Sequence, residues 1–453
     1  MLQVLLTTDT DFHAAFQRLV QRGRAADEPV VSQVRTILER VRRDGDRAVL
    51  DLTAQFDRIH LTRDTLRVTA QEIHAAYAQC APQAITALRA AAENIRRFHL
   101  HQRRESWMLD LEDGSRLGVR ITPVQRVGMY VPGGQAVYPS TVLMCGIPAQ
   151  VAGVPELSVC TPATGGTISP LILVAADLVG AYAIYKVGGA QAVAAMAYGT
   201  ETIPKVDKIV GPGNQYVATA KRLVFGDVGI DMLAGPTELV IVADDSANPR
   251  YLAADLLSEA EHTGYESVVC LTPSPALIEA LARALREQLS RLPRKTDAER
   301  SLRGCSALIR TRDLAEAVEL ANRIGPEHLE LMLEHPEQWL ERVTCAGAIF
   351  LGHFSPAAIG DYFAGPNHVL PTSGTARFSS PLSVDDFVKR SNLVWYTQTR
   401  LHADAPLAST LARLEGYEGH ARAMTIRGEP DPQSQAARGA AGGVLCDGEG
   451  HGA

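Results

Sequence analysis

Four absences narrow what this chain of 453 residues can be. No stretch of about 18 apolar residues occurs, so a membrane-spanning helix is not expected. The start, "MLQVLLTTDTDFHAAF", has neither a basic opening nor a small-residue cleavage site, and it does not read as a secretory signal. Positive charge is also scarce: 44 Lys and Arg against 51 Asp and Glu leave a net charge of -7, which supplies no field for a nucleic-acid partner. Cysteine pairs are missing as well. The seven cysteines (Cys80, Cys145, Cys160, Cys270, Cys305, Cys345 and Cys446) show no CxxC spacing, which points to reduced thiols rather than a disulfide frame or a metal cluster. A cytoplasmic location is the expectation that fits these absences.

What is present is ordinary globular composition, 46% hydrophobic and 21% charged, on a chain too long for one simple core. From residue 11 to about 103, "VSQVRTILERVRRDGDRAVLDLTAQF" and "APQAITALRAAAENIRRFHLHQRR" carry apolar residues at helical spacing. "WMLDLEDGSRLGVRITPV" alternates about Asp113 and Gly114, the signature of a hairpin. Strands and helices then take turns. "RVGMY", "ELSVCTP", "AYAIYKV" and "VDKIVG" form one series, and "ELVIVADD", "SVVCLTP", "CSALIRT", "HLELML" and "AIFLG" a second. The fold class expected is α/β, with two similar units of parallel sheet covered by helices. Residues 383 to 427 return to helical patterning, and the Gly-, Ala- and Pro-rich end is expected to be disordered.

Chemistry-bearing residues gather at the edges of these elements. In "DDSANPRYLAADLLSEAEHTG", Asn248 reads as an N-cap, Pro249 as the first turn and Gly264 as the stop, which puts Glu259 and His262 on one face at the helix end. On that evidence alone, a histidine favoured by the helix dipole and paired with a glutamate one turn earlier is the better reading. Glu327 and His328, at the mouth of "HLELML", suit acid-base chemistry equally as well as they suit a loop carboxylate beside a strand histidine. Asp361 and His368 fall in a loop punctuated by Gly and Pro, and Glu415 and His420 near the chain end. Together these supply histidines and carboxylates of zinc-ligand type besides a spare Glu and His pair. "MYVPGGQAVYPSTV", "KVGGAQAVAAMAYG" and "VGPGNQYVATAKRL" are strand, glycine turn and helix, able to offer amides to a phosphate, although none is a GxGxxG.

Collinear segments carry a resemblance more specific than any one loop. "RVGMYVPGG", "VGGAQAVAAMAYGTETIPKVDKIVGPGN", "DMLAGPTE", "AEH", "GPEHLE", "GDYFAGPNHVLPTSGTARFSSPLSVDDF" and "EGYEGHARAMTIR" closely resemble histidinol dehydrogenase, over about residues 11 to 427. The resemblance implies a homodimer of atypical Rossmann-like units whose helical ends exchange between subunits. It implies one zinc per subunit and two successive NAD-dependent oxidations, of L-histidinol to the aldehyde and, through its hydrate, to L-histidine. Glu259, His262 and Asp361, with His420 of the partner subunit, would then be zinc ligands. His328 would take the substrate hydroxyl proton, and Glu327 would help to activate water. Tyr130, Gln191 and Asn214 fall where that family contacts NAD. Thr237, His368 and Glu415 fall where it holds the substrate, beside Glu259, His262, His328, Asp361 and His420.

The same resemblance divides the chain into an N-terminal helical arm (1–25), a discontinuous first α/β unit (26–128 and 238–380), a second α/β unit with the NAD loops (129–237), a C-terminal helical segment (381–427) and a tail (428–453). Two departures stand out: the family usually has glutamine at Glu259 and often serine at Thr237. Threonine keeps the hydroxyl. Glu259 adds charge that would bind Zn²⁺ more firmly while lowering its Lewis acidity. A related dehydrogenase for another amino alcohol or polyol therefore stays open. A zinc hydrolase would leave the glycine loops without a purpose, and a non-catalytic nucleotide-binding protein would have no use for the acid-base pair.

Overall fold

The computed structural model describes residues 2–22, 28–133 and 137–429. Residues 430–453 of the tail lie outside the described residues, as do the 25/26 boundary and Gly134 to Ala136 of the first glycine loop. Along the chain the strands are β1 (Gln3–Leu6), β2 (Trp107–Asp110), β3 (Arg116–Pro123), β4 (Arg126–Tyr130), β5 (Glu156–Thr161), β6 (Ala183–Lys186), β7 (Lys208–Val210), β8 (Gly229–Ile230), β9 (Glu238–Ala243), β10 (Ser267–Thr272), β11 (Ala307–Arg310), β12 (His328–Met332), β13 (Ala348–Leu351) and β14 (Val388–Trp395). The fold is α/β, with two parallel sheets. One runs β6-β5-β4-β7-β8 and the other β1-β11-β10-β9-β12-β13. Counted from the first strand of each series, both have the doubly wound order 3-2-1-4-5, with β1 added at an edge of the second.

Burial explains why the central strands read as unbroken apolar runs. All six residues of β9 and of β10 are buried, because helices cover both faces of a parallel sheet. Alternation then splits β9 between two cores. Leu239 and Ile241 join the core of the helix Pro249–Ala260, and Val240 and Val242 join that of Phe16 and the helix Leu314–Ile324. Both sheets belong to one compact unit, formed by the chain up to Arg103 with Pro123–Lys389. A smaller unit comprises Arg104–Thr122 and the chain from Arg390. There the expected hairpin is antiparallel β2–β3, turned at Gly114 with φ +82°, in a sheet ordered β14-β3-β2.

Three expectations need correction. The N-terminal arm is not helical throughout: β1 pairs in parallel with β11 before the helix Phe12–Val20 begins. Its alternation, exposed Val4 and buried Leu5, is too short to register as a strand. The C-terminal helical segment starts with β14, whose mostly exposed "VKRSNLVW" carries no apolar face to reveal it. Finally, the helices Glu28–Asp57 and Pro82–Leu100 do not belong with residues 238–380. Ile95 shares a core with Val127 and Met129, and Val34 and Val49 share one with Ala194 and Ile209, so these helices cover the β4 to β8 sheet. The 128/129 division would also cut β4. Among the described residues no helix is long and apolar enough to cross a membrane.

Candidate active site

The order of the β9 sheet reverses between β9 and β12, and the candidate residues meet at the amino ends of these two strands. His328 opens β12 opposite Leu239, and Thr237 immediately precedes β9. The helix Ala357–Tyr362 runs back from the far side, so that Asp361 Oδ1 lies 3.5 Å from His328 Nε2. His368 follows, with its Nε2 3.4 Å from Thr141 Oγ1. His328, Asp361 and His368 line one cavity of about 590 Å³, walled by Phe98, Phe350 and Ile359.

The helix Pro249–Ala260 is capped as its sequence predicts, Asn248 accepting from the Arg250 N–H at 2.9 Å. It ends at Ala260, and His262 sits just beyond. The Nδ1 of His262 is 2.9 Å from the main-chain oxygen of Glu259, so it caps the helix end rather than pairing with the carboxylate. Glu259 itself turns inward, 1% exposed, and its Oε2 has no hydrogen-bond partner among the described residues.

All three histidines are anchored alike. His262, His328 and His368 direct Nδ1 to the main-chain oxygens of Glu259, Glu238 and Asp361, at 2.9, 3.2 and 2.8 Å. A carbonyl only accepts, so each Nδ1 carries a hydrogen and each Nε2 is the atom left for chemistry. Glu327 is equally fixed, Oε2 accepting the Glu238 N–H at 3.0 Å.

Charge is dense here. Burial raises the Glu327 carboxyl to about 8, into the range where a carboxyl exchanges protons near neutrality. Burial works against a charged His328, but the carboxylates of Glu327, Asp361 and Glu259 outweigh it and lift the ring to about 10. Burial also raises Glu259 and lowers His368, whereas Asp361 is held down, against burial, by His328.

No three His, Cys, Asp or Glu side chains among the described residues converge closely enough to hold a metal ion as they stand. The donor chemistry nevertheless fits zinc: a buried carboxylate oxygen without a partner at Glu259, a backbone-anchored imidazole at His262 and the carboxylate of Asp361. Glu415 and His420 lie in the smaller unit, both exposed. Glu415 closes the helix Gln398–Leu414, and His420 tilts against the Tyr417 ring at 5.1 Å.

Tyr130, Gln191 and Asn214 stand at the carboxyl ends of the other sheet, where its order reverses between β4 and β7. The Tyr130 hydroxyl accepts from the Gly189 N–H at 3.2 Å. Gln191 is buried in the helix Gly189–Tyr198, and Asn214 caps Gln215–Val224 by accepting from Tyr216 and Val217. Gly211, at φ +106°, passes so close to the Tyr130 carbonyl that a Cβ would collide with it. Behind this loop lies the buried ion pair of Lys221 and Asp231.

Sequence reasoning missed several supporting residues. Glu330 faces the same side as His328, and its Oε1 accepts the Ala357 N–H at 2.8 Å, which fixes the start of the helix carrying Asp361. Lys221, Asp231 and Glu238 were equally hidden. The one available signal was a carboxylate inside or heading an otherwise apolar run, as in "TELVIVA" and "HLELML".

The sequence pattern of histidinol dehydrogenase matches residues 20–428. A histidinol dehydrogenase of Halalkalibacterium halodurans is 53% identical over 399 residues, covering 88% of this chain and 94% of that protein. Another, of Syntrophotalea carbinolica, is 48% identical and covers 94% and 99%. The crystal structure of histidinol dehydrogenase from Elizabethkingia anophelis superposes with a TM-score of 0.89 at 38% identity, over 94% of this chain and 98% of that one. With its pattern matched over nearly the whole described length and its fold shared, the chain belongs to the histidinol dehydrogenase family.

Proposed function

We propose that this protein is an NAD-dependent dehydrogenase that oxidises L-histidinol through L-histidinal to L-histidine, in histidine biosynthesis. Beyond family membership, one observation carries the reading: Glu327 and His328 are both anchored through the backbone of Glu238, and His328 faces Asp361 and His368 at a single cavity. His328 Nε2 is the atom that takes the substrate hydroxyl proton. Glu327, its carboxyl raised by burial, receives and returns a proton as water adds to the aldehyde. Each oxidation passes two electrons to one NAD, and water supplies the second carboxylate oxygen. Tyr130, Gln191 and Asn214 would hold NAD, whose nicotinamide would supply the hydride acceptor.

Glu259, His262 and Asp361, with His420 of the partner subunit, are the proposed zinc ligands, and Thr237, His368 and Glu415 the proposed substrate contacts. Zinc held there would fix the amino and imidazole nitrogens of the substrate and offset the carboxylate field around His328. The protein would thus work as a homodimer with a site completed across subunits.

The test is NADH formed per L-histidinol consumed by zinc-loaded protein in excess NAD, with an EDTA-treated control. Two NADH, abolished by the chelator, is the expected result. One would remove Glu327 from its role in the second oxidation. None would redirect the site to another amino alcohol or a polyol, with the charge of Glu259 as the first difference to examine.

A further inference from the structure

Glu238 makes four contacts, two from its backbone to the acid-base pair and two from its carboxylate to distant parts of the chain. Its N–H donates to Glu327 Oε2 at 3.0 Å, and its carbonyl receives His328 Nδ1 at 3.2 Å. One peptide segment therefore sets both reacting side chains. Its own carboxylate, 3% exposed, is held from two distant parts of the chain. Arg22 Nη2 donates to Oε2 at 2.6 Å, and the Ser373 N–H donates to Oε1 at 2.9 Å.

These anchors are themselves constrained. Arg22 is buried and also donates from Nη1 to the Leu19 carbonyl at 2.7 Å, which ties it to the end of the helix Phe12–Val20. Ser373 has φ +56°, a left-handed backbone that residues with a side chain adopt at a cost, and in that conformation its N–H reaches Glu238. Next to it, Thr372 Oγ1 accepts the Gly235 N–H at 2.6 Å, which joins the same two loops a second time.

A buried ion pair is weak evidence for stability alone, because desolvation offsets its attraction. Its geometric effect is definite. We infer that Glu238, clamped by Arg22 and Ser373, is a positioning residue that fixes the His328 tautomer and the Glu327 carboxylate, so that the N-terminal segment is part of the catalytic support. With Nδ1 tied to the Glu238 carbonyl, only Nε2 can exchange the substrate proton. Loss of the clamp lets the first peptide of β9 shift, and displacement of this order at reacting groups costs rate rather than nucleotide binding.

The inference rests on the acid-base roles proposed above, and two readouts separate its failure from theirs. Arg22→Met and Glu238→Gln, zinc-loaded and folded, are expected to lower kcat for L-histidinol about 10- to 100-fold. KM for NAD stays unchanged, because Tyr130, Gln191 and Asn214 stand on the other sheet. Arg22→Lys, which keeps the charge, restores most of the rate. Should a single variant fail to fold, Arg22→Met combined with Glu238→Gln leaves no buried charge unpaired and carries the same comparison. The second readout needs no substrate: amide hydrogen exchange of the Glu238 N–H, slow in the parent, speeds up at least tenfold in Arg22→Met. A kcat within twofold of the parent, or unchanged exchange at Glu238, overturns the positioning role. A parent inactive on L-histidinol overturns the functional reading instead, and exchange at Glu238 still decides this one.

Discussion

Replacing Glu266 with alanine should destabilise the protein by about 3 to 5 kcal/mol at neutral pH. Glu266 is 1% exposed and organises the turn that follows His262. Its carboxylate accepts from Thr263 N and Oγ1 at 2.9 and 2.5 Å, from Gly264 N at 2.7 Å, from Tyr265 N at 3.0 Å and from Ser301 Oγ at 2.7 Å. Thr263 and Tyr265 are exposed, so water replaces those bonds. Gly264 and Ser301 are buried, and although Ser301 can turn to the Ala260 carbonyl, the Gly264 N–H has no substitute. The two buried charge-assisted bonds, at about 1.5 to 3 kcal/mol each, would give about 3 to 6 kcal/mol, and the turn of Ser301 to the Ala260 carbonyl brings the upper end down to about 5. Burial alone would raise this carboxyl, but the hydrogen bonds from Thr263, Ser301 and the backbone outweigh it and hold it below its ordinary value. Its stabilisation is therefore complete above the unfolded-state value of about 4.3 and is lost as pH falls through the lower folded-state value. Urea unfolding of parent and Glu266→Ala at pH 7.5, and at steps down to about pH 3, should show a gap that narrows with acid below about pH 4.3. A difference under about 1 kcal/mol at pH 7.5, or a gap that widens with acid, would refute the account of this turn.

Three further outcomes are expected. Lys221→Met leaves Asp231 buried without its cation, a change that costs about 3 to 5 kcal/mol, and loosens the loop from Gly211 to Asn214. NAD titration by NADH fluorescence or calorimetry should then show weaker binding with histidinol affinity preserved. Gly211→Ala forces a Cβ onto the Tyr130 carbonyl at a φ reserved for glycine, and the folded protein should lose NAD binding while still taking up zinc. Glu259→Gln removes one buried negative charge from the proposed zinc site, and competition with a chelator should show zinc held roughly tenfold more weakly, about 1.4 kcal/mol. Equal zinc content in the two proteins at limiting metal would make that charge irrelevant.

The parts of the fold that were legible in the sequence are those where burial imposes a pattern. β9, β10 and β12 are covered on both faces, so their apolar runs are long, and in the other sheet glycine turns end β6 and β7 cleanly. β1 and β14 escaped notice because pairing, not burial, makes them strands: β1 rests on its hydrogen bonds to β11, and β14 is mostly exposed. The helices of residues 28 to 100 were seen as helices but attached to the wrong sheet. Periodicity reveals that a helix has an apolar face and is silent on which face it meets.

The candidate site divides along the same line. Glu327, His328, Asp361 and His368 could be singled out as candidates because their chemistry is in the side chain and Gly and Pro punctuate the segments that carry them. Whether Glu259 and His262 form an ion pair could not be read, because the answer lies in a backbone contact: His262 gives Nδ1 to the main-chain oxygen of Glu259. The same holds more strongly for Glu238, which sits 90 positions before His328 and acts on it through a carbonyl that every residue type possesses. Its side chain only secures that carbonyl, through an arginine still further away in the sequence. A group that works through its backbone leaves its mark on the residues that clamp it. Buried charges at the head of an apolar strand, such as Glu238 before "LVIVA", are therefore the places where such support should be sought.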